Sequence, residues 1–246
     1  ESQDPAARIR RGVGVASFWY NTAVWPISLE SSASRMVLNE DGTISLQLGE
    51  TEIGQGGDTV FAQMAADAVG VDYTAINVVT NQDTDVAPFG TGAYGSRQTY
   101  VAGFTINQTG QQLRAKILAH AQELTRMPAS QLDLVQGRIV RVIDGRDLMG
   151  LDDLATEVLY SMTHSEHITA ESTYQIKSNA YSFGCSLTEV EVDLDLCQAR
   201  VVRLLNVHDC GRLINPALAE GGTPDDRLRL TRRGRLLGNR VFAEFV

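Results

Sequence analysis

Two short runs of glycine mark places where this chain can hold a ligand: Gly54-Gln55-Gly56-Gly57 and Gly90-Thr91-Gly92-Ala93-Tyr94-Gly95. Glycine has no Cβ, so a flat ligand can lie against its main chain, and the first turn of a helix offers unpaired N–H groups at the positive end of the helix dipole. If each run opens a helix, each suits an anionic group, with a phosphate-bearing cofactor as the expected ligand. The second run also matches the Gly-x-Gly-x-x-Gly string of dinucleotide-binding folds. Against that, residues 80–89 place a long polar stretch before it, and no second parallel strand ending in Asp or Glu follows at the usual distance. A nicotinamide-binding dehydrogenase is therefore a distant alternative, one that requires a βαβ unit around Gly90–Gly95. Glycines serving only tight turns explain one such loop more readily than two.

Other chemistry-bearing residues read more plainly. His164-Ser165-Glu166-His167 lacks a third metal ligand at a supporting spacing and is expected to be a solvated loop. His208 and Asp209 are adjacent on a strand and point to opposite faces, so they make a poor acid–base pair. Glu189, Glu191, Asp193 and Asp195 alternate with apolar residues and read as the wet face of a strand. No Gly-x-Ser-x-Gly elbow, Walker loop or His-Glu-x-x-His is present, so no catalytic base emerges from these patterns. Cys185, Cys197 and Cys210 give an odd count without Cys-x-x-Cys spacing, which speaks against a disulfide framework, a structural zinc or a locally encoded iron–sulfur cluster. They are expected to be reduced, mostly structural thiols.

The elements that must position the glycine runs follow from periodicity. Val37–Leu38 and Ile44–Leu48 flank Glu40-Asp41-Gly42 as a hairpin with one face buried. After the first run, Asp58 is placed to cap a helix whose apolar residues Val60, Phe61, Met64, Ala65 and Ala68 share a face and which stops at Gly70. Ile76–Val79 reads as a strand, and Gln98 to Arg126 as a long helix after the second run. Gly103 and Gly110 inside that helix each cost about 1 kcal/mol relative to Ala, which predicts close packing on another backbone or a break. Residues 132–143 read as a second hairpin and Leu151–Met162 as an amphipathic helix. Thr188–Asp195 predicts a strand with Val190, Val192 and Leu194 inward, partnered by Arg200–Val207, and Asn215-Pro216 predicts a further helix start.

At 246 residues and 43% hydrophobic, the chain can bury one large core or two smaller ones. No stretch approaches the ~20 apolar residues of a spanning helix, and Glu1–Pro5 lacks the basic and apolar parts of a signal peptide, so a cytoplasmic protein without a membrane contact is expected. The net charge of −9 argues against nucleic acid as a partner. Six arginines between Gly221 and Val246 against Asp225, Asp226 and Glu244 give that segment +3, leaving −12 for residues 1–220. The tail is compositionally foreign to the body.

Four stretches together resemble one family: Gly49-Glu50-Thr51-Glu52-Ile53-Gly54-Gln55-Gly56, Gly92-Ala93-Tyr94-Gly95-Ser96-Arg97-Gln98-Thr99, Thr188-Glu189-Val190-Glu191-Val192-Asp193, and Asn206-Val207-His208-Asp209-Cys210-Gly211 with Ile214-Asn215-Pro216. In this order and near this spacing they are similar to landmarks of the molybdenum-binding subunit of xanthine dehydrogenases and related molybdopterin hydroxylases. The resemblance runs from about Ile9 to Glu220, and Ser17–Tyr20 with Ala93–Tyr100 look most like the bacterial three-subunit form. It implies an α+β fold of mixed sheets with helices, of the molybdopterin-binding type. It further implies that Gly54, Gln55 and Gly56 contact the pterin, and that Gly95 faces molybdenum with Tyr94 and Ser96 beside it. The implied reaction hydroxylates a purine carbon with oxygen from water, hypoxanthine or xanthine going to urate, an aldehyde or N-heterocycle substrate being the alternative within the family. Electrons would leave through 2Fe–2S clusters and FAD on partner subunits, with the cytosine dinucleotide form as one alternative for the pterin.

The departures from the family pattern carry expectations too. A molybdenum-side glutamine, a substrate-binding arginine and the late Gly-Glu-Pro glutamate of the family are not found, so no catalytic base is assigned, and a piece that is inactive by itself is the competing reading. After Asn-Pro, the chain reads Gly221-Gly222-Thr223-Pro224 and then the arginine-rich tail, which points to a frameshift near Glu220–Gly222 or a disordered segment. Residues 1–220 are thus taken as the cofactor-binding unit, with room for a division into two subdomains between 128 and 180. Val24 stands where the family often has an aromatic ring over the substrate, and Phe18, Trp19 or Trp25 are the substitutes.

Overall fold

The computed structural model describes residues 7–79, 83–209 and 214. Strand β1 (Ile9–Thr22) leads into β2 (Ser31–Leu38) and β3 (Ile44–Leu48), followed by helix α1 (Gly57–Val69) and β4 (Ile76–Val79). Helix α2 (Gln98–Thr125) follows the second glycine run, then come β5 (Leu132–Val135), β6 (Arg138–Arg141), β7 (Asp147–Gly150) and α3 (Leu151–Leu159). The strands β8 (Thr169–Gln175), β9 (Ala180–Asp193) and β10 (Gln198–His208) complete the described chain. Among the described residues the strands pair as β4-β3-β2-β8, β5-β6-β7 and β1-β9-β10, an α+β arrangement of mixed sheets.

The alternation of β3 puts Ile44, Leu46 and Leu48 on one face, and Met36 and Leu38 of β2 join them under Phe61, Ala65 and Val69 of α1 and Ala102, Ile106, Leu113 and Ile117 of α2. The expected hairpin is present, with Leu38 opposite Ile44. β3 and β4 run parallel, Ile44 beside Ile76, and α1 is the crossover that parallel strands require. A βαβ unit therefore surrounds the first glycine run. The second run has none, since α2 delivers the chain to β5 in a different sheet. That removes the context on which a nicotinamide site at Gly90–Gly95 depended.

Helix α2 runs unbroken through both of its glycines. A Cβ on Gly110 would stand 2.5 Å from the Cβ of Ala68, and one on Gly103 3.3 Å from the sulfur of Met64. The close-packing alternative is the observed one, with α2 laid across α1 at a distance only glycine permits at position 110. Helix α1 ends at Gly70 in the left-handed region, its N–H bonded to the Ala66 carbonyl at 2.8 Å. Its start differs from expectation. The cap position is Gly56, Asp58 lies inside the first turn, and the carboxylate that accepts the Asp58 N–H is that of Glu52, at 3.1 Å. The hairpin of residues 132–143 appears as β5 and β6, extended by β7, and α3 stops at Leu159, short of Met162.

The β1-β9-β10 sheet departs most from the sequence reading. Glu191 is not merely wet: it accepts from Arg11 at 3.0 Å and Arg200 at 2.6 Å, while Asp193 is held by Arg8 at 2.8 Å. Arg200 first and Arg11 second hold the Glu191 carboxyl below the ordinary range, and Arg8 does the same for Asp193. Val190 and Val192 are half-buried rather than inward, and Leu194 falls beyond the strand end at 47% exposure. Val201, the cross-strand partner of Val190, is 61% exposed, and Val13 on the opposite face 70%, so neither face is covered by the described residues. Cys185 and Cys197 are free thiols. Cys210, the helix start at Asn215-Pro216 and the 221–246 tail lie outside the described residues. Among those described, no helix is long and apolar enough to cross a membrane.

Candidate functional site

The segment that leads into the first glycine run begins where β3 ends, at Leu48. Gly49 is backed directly onto Gly90: a Cβ at either would stand 2.3 Å from the Gly90 nitrogen or 2.6 Å from the Gly49 carbonyl carbon. The segment leading into the first run therefore touches the start of the second, main chain to main chain. Gly54 and Gly56 take φ of 93° and 81°, and a Cβ on Gly54 would meet nothing within 4 Å. The amides of Ile53, Gly54, Gly56 and Asp58 are already engaged. Glu52 accepts from Gly54 N at 2.8 Å and Gly56 N at 3.0 Å through one oxygen, and from Asp58 N through the other. Gln55 accepts from Ile53 N at 2.7 Å and donates to the Thr51 carbonyl at 3.1 Å and to Oε1 of Gln98 at 2.6 Å. Gln98 in turn donates to the Thr51 carbonyl at 2.9 Å, which ties the first loop to the first residue of α2.

The second run is fastened from three sides. Gly90 bridges Ser32, and the Phe89 carbonyl accepts from Ala33 N at 2.8 Å, so the run continues the edge of β2 where β3 has stopped. The Gly95 carbonyl accepts from Ala23 N at 2.9 Å, just past β1, and a Cβ on Gly95 would crowd Val24 at 3.2 Å. Tyr94 shares a 3.0 Å hydrogen bond with the Ser28 hydroxyl. Ser96, with a φ of 52°, is exposed beside it.

Beneath the second run sits Arg97, fully buried, with its guanidinium 5.3 Å from the Tyr94 ring centre. It donates to Glu30 at 2.6 Å, Glu50 at 3.2 Å, the Gly92 carbonyl at 3.0 Å and the Ser31 carbonyl at 2.9 Å. Glu30 also accepts from Val24 N at 2.9 Å, and Glu50 from the Ser32 hydroxyl at 2.7 Å. One guanidinium thus serves two fully buried carboxylates. Burial pushes the Glu50 carboxyl up, opposed by Ser32 and by Arg97. Glu50 immediately precedes the first loop and Gly92 belongs to the second, so this cluster joins both runs from inside.

Between the runs lies a cavity of about 360 Å³ whose wall includes Gln55, Tyr94, Gly95, Ser96, Gln98 and Tyr20. Four of the six residues singled out from sequence meet here. Gly54 and Gly56 sit on the same loop without lining the cavity wall. The expected aromatic substitutes do not line it either: Trp19 packs on Tyr181 and Phe18 on His208. Tyr20 takes the wall position from β1, two residues from Phe18 and so on the same strand face. No Asp, Glu or His belongs to that wall, and its one cation, Arg97, is spent on Glu30 and Glu50. His164 and Glu166 form a surface pair at 3.6 Å, and among the described residues no three His, Cys, Asp or Glu gather as a metal site. Glu52, Glu30, Glu50 and Gln98 were not singled out by type and spacing. The available signal was density: three glutamates within residues 40–52, two of them just ahead of the glycine run, in a segment with no Lys or Arg.

Residues 1–223 match the family described as "Molybdopterin cofactor-binding domain". The chain is 44% identical over 222 residues to the putative xanthine dehydrogenase molybdenum-binding subunit XdhA of Escherichia coli (strain K12), covering 90% of this chain and 30% of that protein. It is 26% identical over 263 residues to the carbon monoxide dehydrogenase large chain of Hydrogenophaga pseudoflava, covering 99% of this chain and 33% of that one. The crystal structure of the Cu,Mo-CO dehydrogenase superposes with a TM-score of 0.74 at 25% identity, over 87% of this chain and 28% of its own. The chain thus spans about a third of the length of the relatives it matches.

Proposed function

We propose, since this chain belongs to the molybdopterin cofactor-binding domain family, that it forms part of the molybdenum-binding subunit of a xanthine dehydrogenase-type hydroxylase. The observation that carries this reading is convergence: two glycine loops, with Gly54 and Gly95 41 positions apart, flank one cavity, and the Gln55–Gln98 hydrogen bond joins the first loop to the helix that follows the second. In this proposal Gly54, Gln55 and Gly56 meet the pterin, while Gly95, with Tyr94 and Ser96, offers a main-chain surface to the metal. The residues present fit such a group in kind. Open space stands over Gly54, and Gly95 lies in the cavity wall with no side chain of its own. When bound, the cofactor supplies the two-electron oxidation by which a substrate carbon gains oxygen from water.

What this chain's own residues do is narrower. Gln55 and Gln98 present an amide edge, Tyr20 and Phe61 exclude water from one wall, and Arg97 holds the second loop rigid through Gly92. No carboxylate or imidazole of the described wall can take a proton from substrate, so that task falls to polypeptide outside it. The proposal extends to a purine substrate, a pterin in its cytosine dinucleotide form, iron–sulfur and FAD subunits as partners, and a cytoplasmic location. It also takes residues 1–220 as the cofactor-binding unit and 221–246 as frame-shifted sequence. The end of the family match at 223 supports that division, and a coding sequence that reads into family pattern in another frame past 220 is its expected result.

Production of the chain in a cofactor-synthesising host tests the central claim. Stoichiometric molybdenum and pterin in the purified protein, both lost on Gln55→Ala, are expected. Metal-free, pterin-free protein that is nonetheless folded overturns it.

A further inference from the structure

Glu52 changes what the first glycine loop is able to hold. A glycine turn releasing a helix N-terminus is suited to an external anion, because its amides are unpaired and the helix dipole is positive there. In this chain a carboxylate already fills that position. Glu52 bonds Gly54 N and Gly56 N through one oxygen, at 2.8 and 3.0 Å, and Asp58 N through the other, at 3.1 Å. Asp58 lies six positions after Glu52, so the loop closes on its own anion by folding back over a single turn. The neighbourhood is also unfriendly to a second negative charge. Asp58 sits in the same turn, its carboxyl pushed up by burial and then by Glu52. What the loop turns toward the cavity is instead Gln55, bonded to Gln98, an uncharged amide edge.

We infer that Glu52 is a built-in anion that sets the specificity of the first loop, reserving it for an uncharged hydrogen-bonding edge of the ligand and refusing the ligand's phosphate. Glu52 is a positioning residue in this scheme, acting through the loop amides. The inference rests on the proposed function for the identity of the ligand, and on the loop geometry for the exclusion itself.

Inorganic phosphate is the probe. With the 246-residue chain labelled with nitrogen-15, free of cofactor, the amide resonances of Gly54, Gly56 and Asp58 are followed as phosphate is added, in the natural chain and in Glu52→Ala. The natural chain is expected to show no saturable shift at these three amides. Glu52→Ala is expected to bind phosphate there about tenfold more tightly or better, the factor that 1.4 kcal/mol at a vacated helix N-terminus supplies. Saturable shifts of equal strength in both proteins, or in neither, overturn the inference. If Glu52→Ala unfolds, as circular dichroism would reveal, Glu52→Gln keeps one acceptor for the loop while removing the charge. Phosphate shifts in that variant sustain the inference and their absence refutes it. Loss of molybdenum binding would sink the proposed function and leave this phosphate result untouched, so the two failures are distinguishable.

Discussion

Replacing Arg97 by Met removes a positive charge from between two carboxylates that have no exposure to solvent. The natural side chain makes hydrogen bonds to Glu30, Glu50, Ser31 and Gly92, and Met restores none of them. Breaking a buried ion pair from one side costs roughly 3–5 kcal/mol, because the surviving charge is left without compensation. Against a typical domain stability of about 5–15 kcal/mol, that is roughly a fifth of the total or more. With a urea slope near the upper end of the usual ~1–3 kcal/mol per molar, the midpoint should fall by about 1.5 M. The assay is urea unfolding followed by circular dichroism. The deficit should shrink in acid. Glu50 is already pushed up by burial, and without Arg97 to oppose that push it rises further, so the variant regains stability as the pH falls and the carboxyl takes its proton. Adding Glu50→Gln to Arg97→Met should recover part of the loss at neutral pH. A midpoint shift corresponding to under about 1 kcal/mol, the scale of an exposed pair, would show that the cluster is not buried as described and would refute the reasoning.

Glu50→Gln alone tests the direction of the Glu50 shift. A carboxyl raised in the folded state contributes stability that is fully present below the unfolded value, about 4.3, and is lost as pH rises through the folded one. The urea midpoint of Glu50→Gln relative to the natural chain should therefore move in the variant's favour between mildly acidic and neutral pH; a flat difference contradicts the shift. Gly110→Ala gains helix propensity of about 1 kcal/mol but drives a methyl to 2.5 Å from the Cβ of Ala68, where overpacking costs roughly 1–3 kcal/mol. A lower melting temperature is expected, and a higher one would mean the two helices separate freely.

What could be read from the sequence was what is encoded locally. The β2–β3 hairpin, α1 with its Gly70 stop and the long α2 each carry their own period and punctuation and lie where expected, although β2 starts at Ser31, six residues before the Val37 of the sequence reading. The pairing of β1 with β9 joins Ile9 to Asp193, and no local pattern announces a partner so far along the chain. Ser32 and Ser34 are fully buried although serine carries no apolar signal, because Glu50 and Thr109 accept or share their hydroxyl protons. At the site, glycine spacing identified the loops, whereas the buried Arg97 cluster and the Glu52 clasp were invisible. Charged residues are ordinarily assigned to the surface, and only the fold brings Glu30 and Glu50, 67 and 47 positions away, to one guanidinium.

The back-to-back meeting of Gly49 and Gly90 acts as a ruler. Where the chain leads into the two runs, their separation is gauged by the thickness of two peptide planes, a length that side-chain replacement further along the loops leaves alone. Substitutions at Ile53, Ala93 or Ser96 can thus re-dress the interior for a different occupant at constant bore. A single methyl at either point of contact would instead wedge both walls apart together. In a mutational library of this region, those two positions should behave as switches between working and collapsed, and their neighbours as dials.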